Sequence, residues 1–273
     1  MSPRDSSERM AFLRREIARI EGRPDFGRRV SGPGGGNDGS ALAGLLSAER
    51  LSAGLHEIVP ASARDVFVAL GFALRLCGLC ARARASAGIV IAIEDFVAAE
   101  TGAPYGPGLV EAGIDPERLA IVRTQNPRET LRAMEDALRC PDVAAVLAES
   151  AIDARLYSLD VSRRLTLAAR AGGAAGFLAP VALAGAGKRM SSMAETRVEV
   201  ARRTSAIEKF GEARLGLPGA PVAALRLMKA RSVHGLDSEC VHEVAYDAFS
   251  VGPPPLSRDR PDPAFAKARA LSA

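Results

Sequence analysis

Gly54-Leu55-His56-Glu57-Ile58-Val59-Pro60-Ala61-Ser62-Ala63-Arg64-Asp65 leads directly into the apolar run 66–76, and the fold turns on this junction. Gly54 to Ile58 has the character of a short buried strand, and the run after Asp65 has the length and content of a helix. A strand that feeds a helix is where nucleotide-binding α/β proteins carry a phosphate loop. Such a loop needs glycines so that backbone N–H groups can wrap the phosphates, a lysine for the β/γ oxygens and a Ser/Thr for Mg²⁺. Here no glycine follows position 54, and Asp65 stands where the lysine belongs. A carboxylate at that point repels a triphosphate. The expectation is a nucleotide-binding fold that has lost its nucleotide, with no cofactor, no metal and no catalytic residue, acting through contacts.

Working outward, short β-rich runs alternate with helical ones from about residue 51. The expected strands are 54–58, 89–93, 119–122, 143–148, 175–180, 194–202, 224–231 and 240–249, and the expected helices are 64–81, 106–112, 127–139 and 158–172. Strand–helix–strand alternation with continuously apolar strands, such as Val143 to Ala148, predicts a mostly parallel sheet flanked by helices on both faces. The last strands follow one another without helices, which predicts an antiparallel C-terminal extension at one edge.

The ends of the chain read differently. Residues 5–21 show helical spacing of Met10, Leu13, Ile17 and Ile20, with Arg14, Arg15 and Arg19 off that seam, and Asp5 with Glu8 marks the N-cap. A separate N-terminal amphipathic helix over 1–22, a flexible glycine-rich linker over 23–50, a core over 51–251 and a disordered tail over 252–273 are expected. The helix is a partner-docking candidate, with folding back on its own core as the alternative.

The chain has 273 residues, enough for one large core with tails. Its formal charge of +4 permits nucleic-acid contact without requiring it. The cysteines at 77, 80, 140 and 240 show no paired framework. Cys77 and Cys80, three apart in an apolar helix with no second ligand pair, read as small buried residues. With no leader and no apolar run of about 18 residues, a soluble cytoplasmic protein is expected, with no membrane contact. His56, His234 and His242 are too scattered for a metal site, and no Ser/His/Asp or Cys/His spacing indicates a hydrolase.

The order of elements resembles a RecA-type ATPase core, and the wording is similar to the ImuA family of damage-inducible mutagenesis proteins. The residues that carry the resemblance are Leu55 to Ile58, Tyr105-Gly106-Pro107-Gly108-Leu109, Gly113 to Leu119, Val122-Arg123-Thr124, Thr130 to Cys140, Val146 to Glu149 and Ser162 to Ala169. The resemblance spans about residues 5–250 and implies an accessory protein of SOS-induced error-prone translesion synthesis. Its implied partners are an ImuB-type Y-family polymerase relative and an error-prone C-family DNA polymerase, with RecA and single-stranded DNA as further candidates.

In that register Ala63, Arg64 and Asp65 form a degenerate P-loop. Glu94 resembles the glutamate that orients attacking water, and reads here as a solvated strand-end carboxylate. Glu149 stands at the Walker B position, where it is structural or available to a protein partner. Lys188 and Arg189, in the glycine loop 183–193, match the mobile loop that touches single-stranded DNA, with an ordinary surface loop as the alternative. The Gly185-Ala186-Gly187-Lys188 stretch is not a Walker A motif, because Ala182 and Arg189 replace the required Gly and Ser/Thr. Lys229 and Arg231 match a basic pair that reaches a neighbour's nucleotide, and read here as solvated side chains. The expected function is noncatalytic accessory contact within the translesion machinery. A RecA filament modulator or a weak DNA-dependent ATPase are the alternatives.

Overall fold

A computed structural model of the protein describes residues 46–153, 155–181, 191–204, 207–210, 215–218, 221–231 and 241–245. The segment with Met10, Leu13, Ile17 and Ile20, the loop residues Lys188 and Arg189, and the tail 252–273 lie outside these residues.

Leu46 and Leu51 are both buried, the second ending the short helix α1 (Ala48–Leu51), so packed chain begins within the stretch assigned to the linker. The succession continues through β1 (Leu55–Pro60), α2 (Val66–Ala83), β2 (Gly88–Glu94), α3 (Asp95–Thr101), α4 (Gly106–Glu111), β3 (Leu119–Thr124), α5 (Pro127–Leu138), β4 (Val143–Ser150), α6 (Leu159–Gly172) and β5 (Ala175–Pro180). It closes with β6 (Thr196–Arg203), β7 (Ile207–Phe210), β8 (Leu215–Pro218), β9 (Val222–Ala230) and β10 (Val241–Ala245).

One sheet has the order β10-β9-β6-β1-β5-β4-β2-β3. The strands from β6 to β3 in that order run parallel, whereas β9 lies antiparallel to β6 and β10 antiparallel to β9. The α/β class, the mostly parallel sheet and the antiparallel edge are therefore as the periodicity indicates. The small β7-β8 pair, which forms its own antiparallel sheet between β6 and β9, was not expected. Helix α3 was not expected either: it starts at Asp95 with no turn residue after β2, and only Val97 and Ala98 of its seven residues are buried.

The layers follow from which side chains each strand turns to which face. Helix α2 packs on one face, where Phe72 and Leu76 meet Ile91, Leu147, Phe177 and Val198. Helices α5 and α6 cover the other, where Met134, Leu138 and Leu165 meet Leu55, Val146 and Leu178. Because β4 is covered on both sides, every one of its residues is buried, and its sequence reads as a run rather than an alternation. Burial of such large side chains stabilises by roughly 1.5–3 kcal/mol each.

Local signals set the helix ends. Asn126 Oδ1 accepts the Glu129 N–H at 3.1 Å, the Glu129 carboxylate accepts from the Gln125 N–H at 2.9 Å, and Pro127 takes the first helical position of α5. Ser158 caps α6, which stops at Gly173 in the left-handed region with φ 72°.

One expectation about the chain's apolar content needs correction. The segment Ala63–Ala83 is long and apolar enough to cross a membrane by length and composition. In the fold it is α2 with its entry turn, and the cores of its turns, including Phe72, Leu76 and Cys77, are buried against the sheet.

Candidate functional site

The C-terminal ends of β1, β5, β4 and β2 follow one another in that order along the parallel sheet, the edge where open α/β folds bind ligands. Three acidic side chains reach this edge: Asp65, Glu94 and Glu149. How each is held determines what the edge can do.

The loop after β1 is folded shut. Ala61 continues the pairing with β6 by donating its N–H to Val200 O at 2.9 Å, and Ala63–Asp65 then form one 3-10 turn closed by Asp65 N–H to Ser62 O at 2.9 Å. Asp65 occupies the N-cap position of α2 yet caps nothing. Its Oδ2 accepts from the Ser62 hydroxyl at 2.5 Å and its Oδ1 accepts the backbone N–H of Arg202 at 3.0 Å. The carboxylate is 7% exposed. A phosphate loop holds its anion with N–H groups converging on an open space. Here the turn instead holds a buried intramolecular carboxylate bonded to β6, while Ala63 and Arg64 are exposed.

Glu94 is not a solvated strand-end carboxylate. It is buried, and its Oε2 accepts from the Ser150 hydroxyl at 2.5 Å and the Ala151 N–H at 2.8 Å, which ties the end of β2 to the turn leaving β4. Two short donors from adjacent chain satisfy an acid that burial would otherwise penalise. Glu149 is 3% exposed, too enclosed to meet a protein partner, and lies beside the Cys77 thiol on the α2 side of the sheet. Burial pushes its carboxyl up to about 7, well above the ordinary carboxylate range. Burial likewise raises the Cys77 thiol, and the Cys80 thiol to about 12, which agrees with reading both as buried small residues rather than reactive ones.

A second polar cluster lies toward the other face, and sequence reasoning missed it. Glu57, fully buried in mid-strand, accepts from Tyr157 Oη at 2.7 Å and from Arg197 Nε at 2.5 Å. The same guanidinium donates to Ser192 Oγ at 3.1 Å. Burial and the neighbouring Glu57 carboxylate raise the Tyr157 hydroxyl well above its ordinary value, which keeps it a donor. The available signal was Glu57 itself, a charge inside an otherwise apolar strand, which demands a partner.

Lys229 also belongs to this cluster, contrary to its reading as a solvated side chain. Its ammonium donates to Ser192 O at 2.6 Å, while Arg231 reaches Met193 Sδ at 3.2 Å. Both cations of the expected pair therefore bind Ser192 and Met193, at the C-terminal end of the stretch 183–193. His56 is held between Thr196 Oγ1 at 2.8 Å and Leu51 O at 2.9 Å, and burial lowers it to about 4. It is neutral at physiological pH. Among the described residues no group of three or more His, Cys, Asp or Glu side chains is placed to hold a metal ion.

No protein-family model matches the chain. No curated protein matches it either. Among solved structures, SulA from Pseudomonas aeruginosa is similar over 46% of this chain and 95% of that one, with 16% identity and a TM-score of 0.35. A likeness of that size carries no weight on function.

Proposed function

We propose that the protein is a noncatalytic, cytoplasmic RecA-like accessory component of SOS-induced error-prone translesion synthesis, of the ImuA kind. In this reading it acts through contacts with an ImuB-type Y-family polymerase relative and an error-prone C-family polymerase. The observation that supports the noncatalytic part is the Asp65 carboxylate bonded to the Arg202 N–H, a negative charge held in the turn where the resemblance implies a phosphate loop. Glu94, turned inward onto Ser150 and Ala151, supports it, because a carboxylate so held is not free to activate water. Sequence resemblance supplies the identity of the partners, and the mostly parallel sheet with its antiparallel edge is compatible with the core that resemblance implies.

The test is a tagged pull-down from DNA-damaged cells of the source organism, with nuclease added to remove DNA bridging and bound proteins identified by mass spectrometry. Recovery of polymerase-like partners is expected. Recovery of RecA alone replaces the reading with that of a filament modulator. Stoichiometric ATP binding by the purified protein overturns the noncatalytic assignment.

A further inference from the structure

Strand β3 ends the larger sheet, and among the described residues its only strand neighbour is β2. One row of its backbone N–H and C=O groups is therefore left without a ladder partner. Such an edge is a template for a further strand, and proteins that stay single blunt it with proline, lysine, a bulge or a covering element. The sequence Leu119-Ala120-Ile121-Val122-Arg123-Thr124 holds neither proline nor lysine, and its six pairs with β2 run without the register shift that interrupts β2 with β4 and β6 with β9. Ile121 and Val122 point to opposite faces and are 45% and 37% exposed, so neither face of the edge is closed over.

We infer that β3 pairs antiparallel with β3 of a second copy of this chain about a twofold axis through Ile121, which joins two sheets into one. Residues that face each other across a ladder share a face of the sheet, so a twofold axis must pass through a residue rather than between two. An axis at Ala120 sets Val122 opposite Arg118, and an axis at Val122 sets Ile121 opposite Arg123. With the axis at Ile121, that residue meets its own copy on one face while Val122 meets Ala120 on the other. Arg123 then opposes the half-buried Leu119 without bringing a bare charge, because Asp95 holds its Nε at 2.8 Å and its Nη2 at 2.7 Å. The exposed Glu117, in the turn Pro116–Arg118, stands diagonally across from Arg123 of the second copy and adds a carboxylate at that end.

The terminal stretches of the chain offer no rival strand for this edge. Residues 1–45 combine the helical spacing at 10–20 with a glycine-rich run, and 252–273 open on Gly-Pro-Pro-Pro; neither contains a run of β-branched or aromatic residues. The strand that matches β3 in length, apolar centre and charged ends is β3 itself. A six-residue edge falls short of the roughly 1,200 Å² that stable interfaces bury, so the dimer is a weak one, with a dissociation constant on the order of 10–100 µM.

The inference goes beyond the accessory reading and fails separately from it, because it concerns a second copy and is tested on the purified chain alone. Sedimentation velocity on the 273-residue protein between about 5 and 200 µM should show a monomer passing into a dimer. Ile121→Lys sets two ammonium groups opposite each other across the axis and should weaken the dimer by about tenfold or more, and Ile121→Glu should do the same with two carboxylates. An equimolar mixture of the two variants should dimerise again, since an ammonium then meets a carboxylate. Leu167→Lys, on α6 and 54% exposed, should leave the dimer unchanged. All three variants should melt as the wild type does at low concentration, because neither site is buried. A monomer at every concentration, a dimer indifferent to Ile121→Lys, equal weakening by Leu167→Lys, or a mixture no more associated than its components overturns the inference. So does association that continues past the dimer, because twofold pairing uses up the β3 edge of both copies.

Discussion

The Asp65 carboxylate accepts the backbone N–H of Arg202 at 3.0 Å across 137 positions of sequence, and in doing so joins the entry of α2 to the end of β6. An ionised acceptor bonded to a backbone donor contributes about 1.5–3 kcal/mol. Asp65→Ala removes that bond and the Ser62 contact together, so urea denaturation should show a loss of about that size. Asp65→Asn, which keeps an acceptor oxygen, should lose less. Equal losses for the two would mean that volume, not hydrogen bonding, holds this turn.

Asp65→Lys supplies the ammonium that a phosphate loop requires, but Val59 and Arg64 remain where the motif's glycines would be needed, and the N–H groups of Ala61 and Asp65 stay bonded to Val200 O and Ser62 O. The variant should not hydrolyse ATP in the presence of single-stranded DNA. Phosphate release at the rate of an ordinary RecA-like ATPase would show the reading of this loop to be mistaken.

Glu149 and His56 give stability opposite slopes with pH. Glu149 is raised from 4.5 to about 7 in the fold, so the native state holds its proton more tightly, and stability falls as pH rises from about 4.5 to about 7. His56 is lowered from 6.5 to about 4, so the unfolded state binds its proton first, and stability is lost as pH falls from 6.5 toward 4. Glu149→Gln removes the first slope. The variant should match the wild type near pH 4.5 and exceed it by up to about 3 kcal/mol at pH 8, measured by denaturant midpoints across pH. A constant difference at all pH values would show that Glu149 does not titrate in this range.

The Glu57–Arg197 pair predicts an asymmetry between single and double substitution. Arg197→Met leaves Glu57 buried without its counter-charge and should cost about 3–5 kcal/mol. Adding Glu57→Gln neutralises the stranded charge while keeping an acceptor for Tyr157, and should recover a substantial part of that loss. Additive losses in this double-mutant cycle would rule out coupling between the two groups.

Two helical glycines should respond oppositely to alanine. A Cβ at Gly78 would lie 2.1 Å from Ala112 O, a backbone atom that cannot move aside, so Gly78→Ala should destabilise by about 1–3 kcal/mol. At Gly108 there is ordinary contact only, and Gly108→Ala should gain up to about 1 kcal/mol from helix propensity. Thermal melts of the two variants check both signs.

The core strands and the helices α2, α5 and α6 were legible because their signals are local. A run of apolar residues such as Val143 to Ala148 reports burial on both faces, and Asn126-Pro127 or Ser158 reports a helix start within a few positions. Helix α3 was not legible, since few of its residues face the core and no loop precedes it. The β7-β8 pair is built from four-residue strands, too short for an alternation to register.

The candidate site divides in the same way. That the phosphate loop lacks its glycines and lysine is a matter of residue identity, and it was readable from positions 59–65 alone. What stands in its place was not, because the donor to Asp65 comes from β6 and the donors to Glu94 from the turn after β4. Glu94 and Lys229 were assigned to solvent for the same reason: a charged side chain near a strand end is exposed by default, and only a partner brought from far along the chain reverses that. Sequence determined the α/β alternation, the parallel core with its antiparallel edge, and the missing phosphate chemistry, each of which depends on residues within one element or at one junction. Tertiary structure alone decided which acids are paired and where Lys229 ends, because each depends on separations that only the packed sheet and helices set.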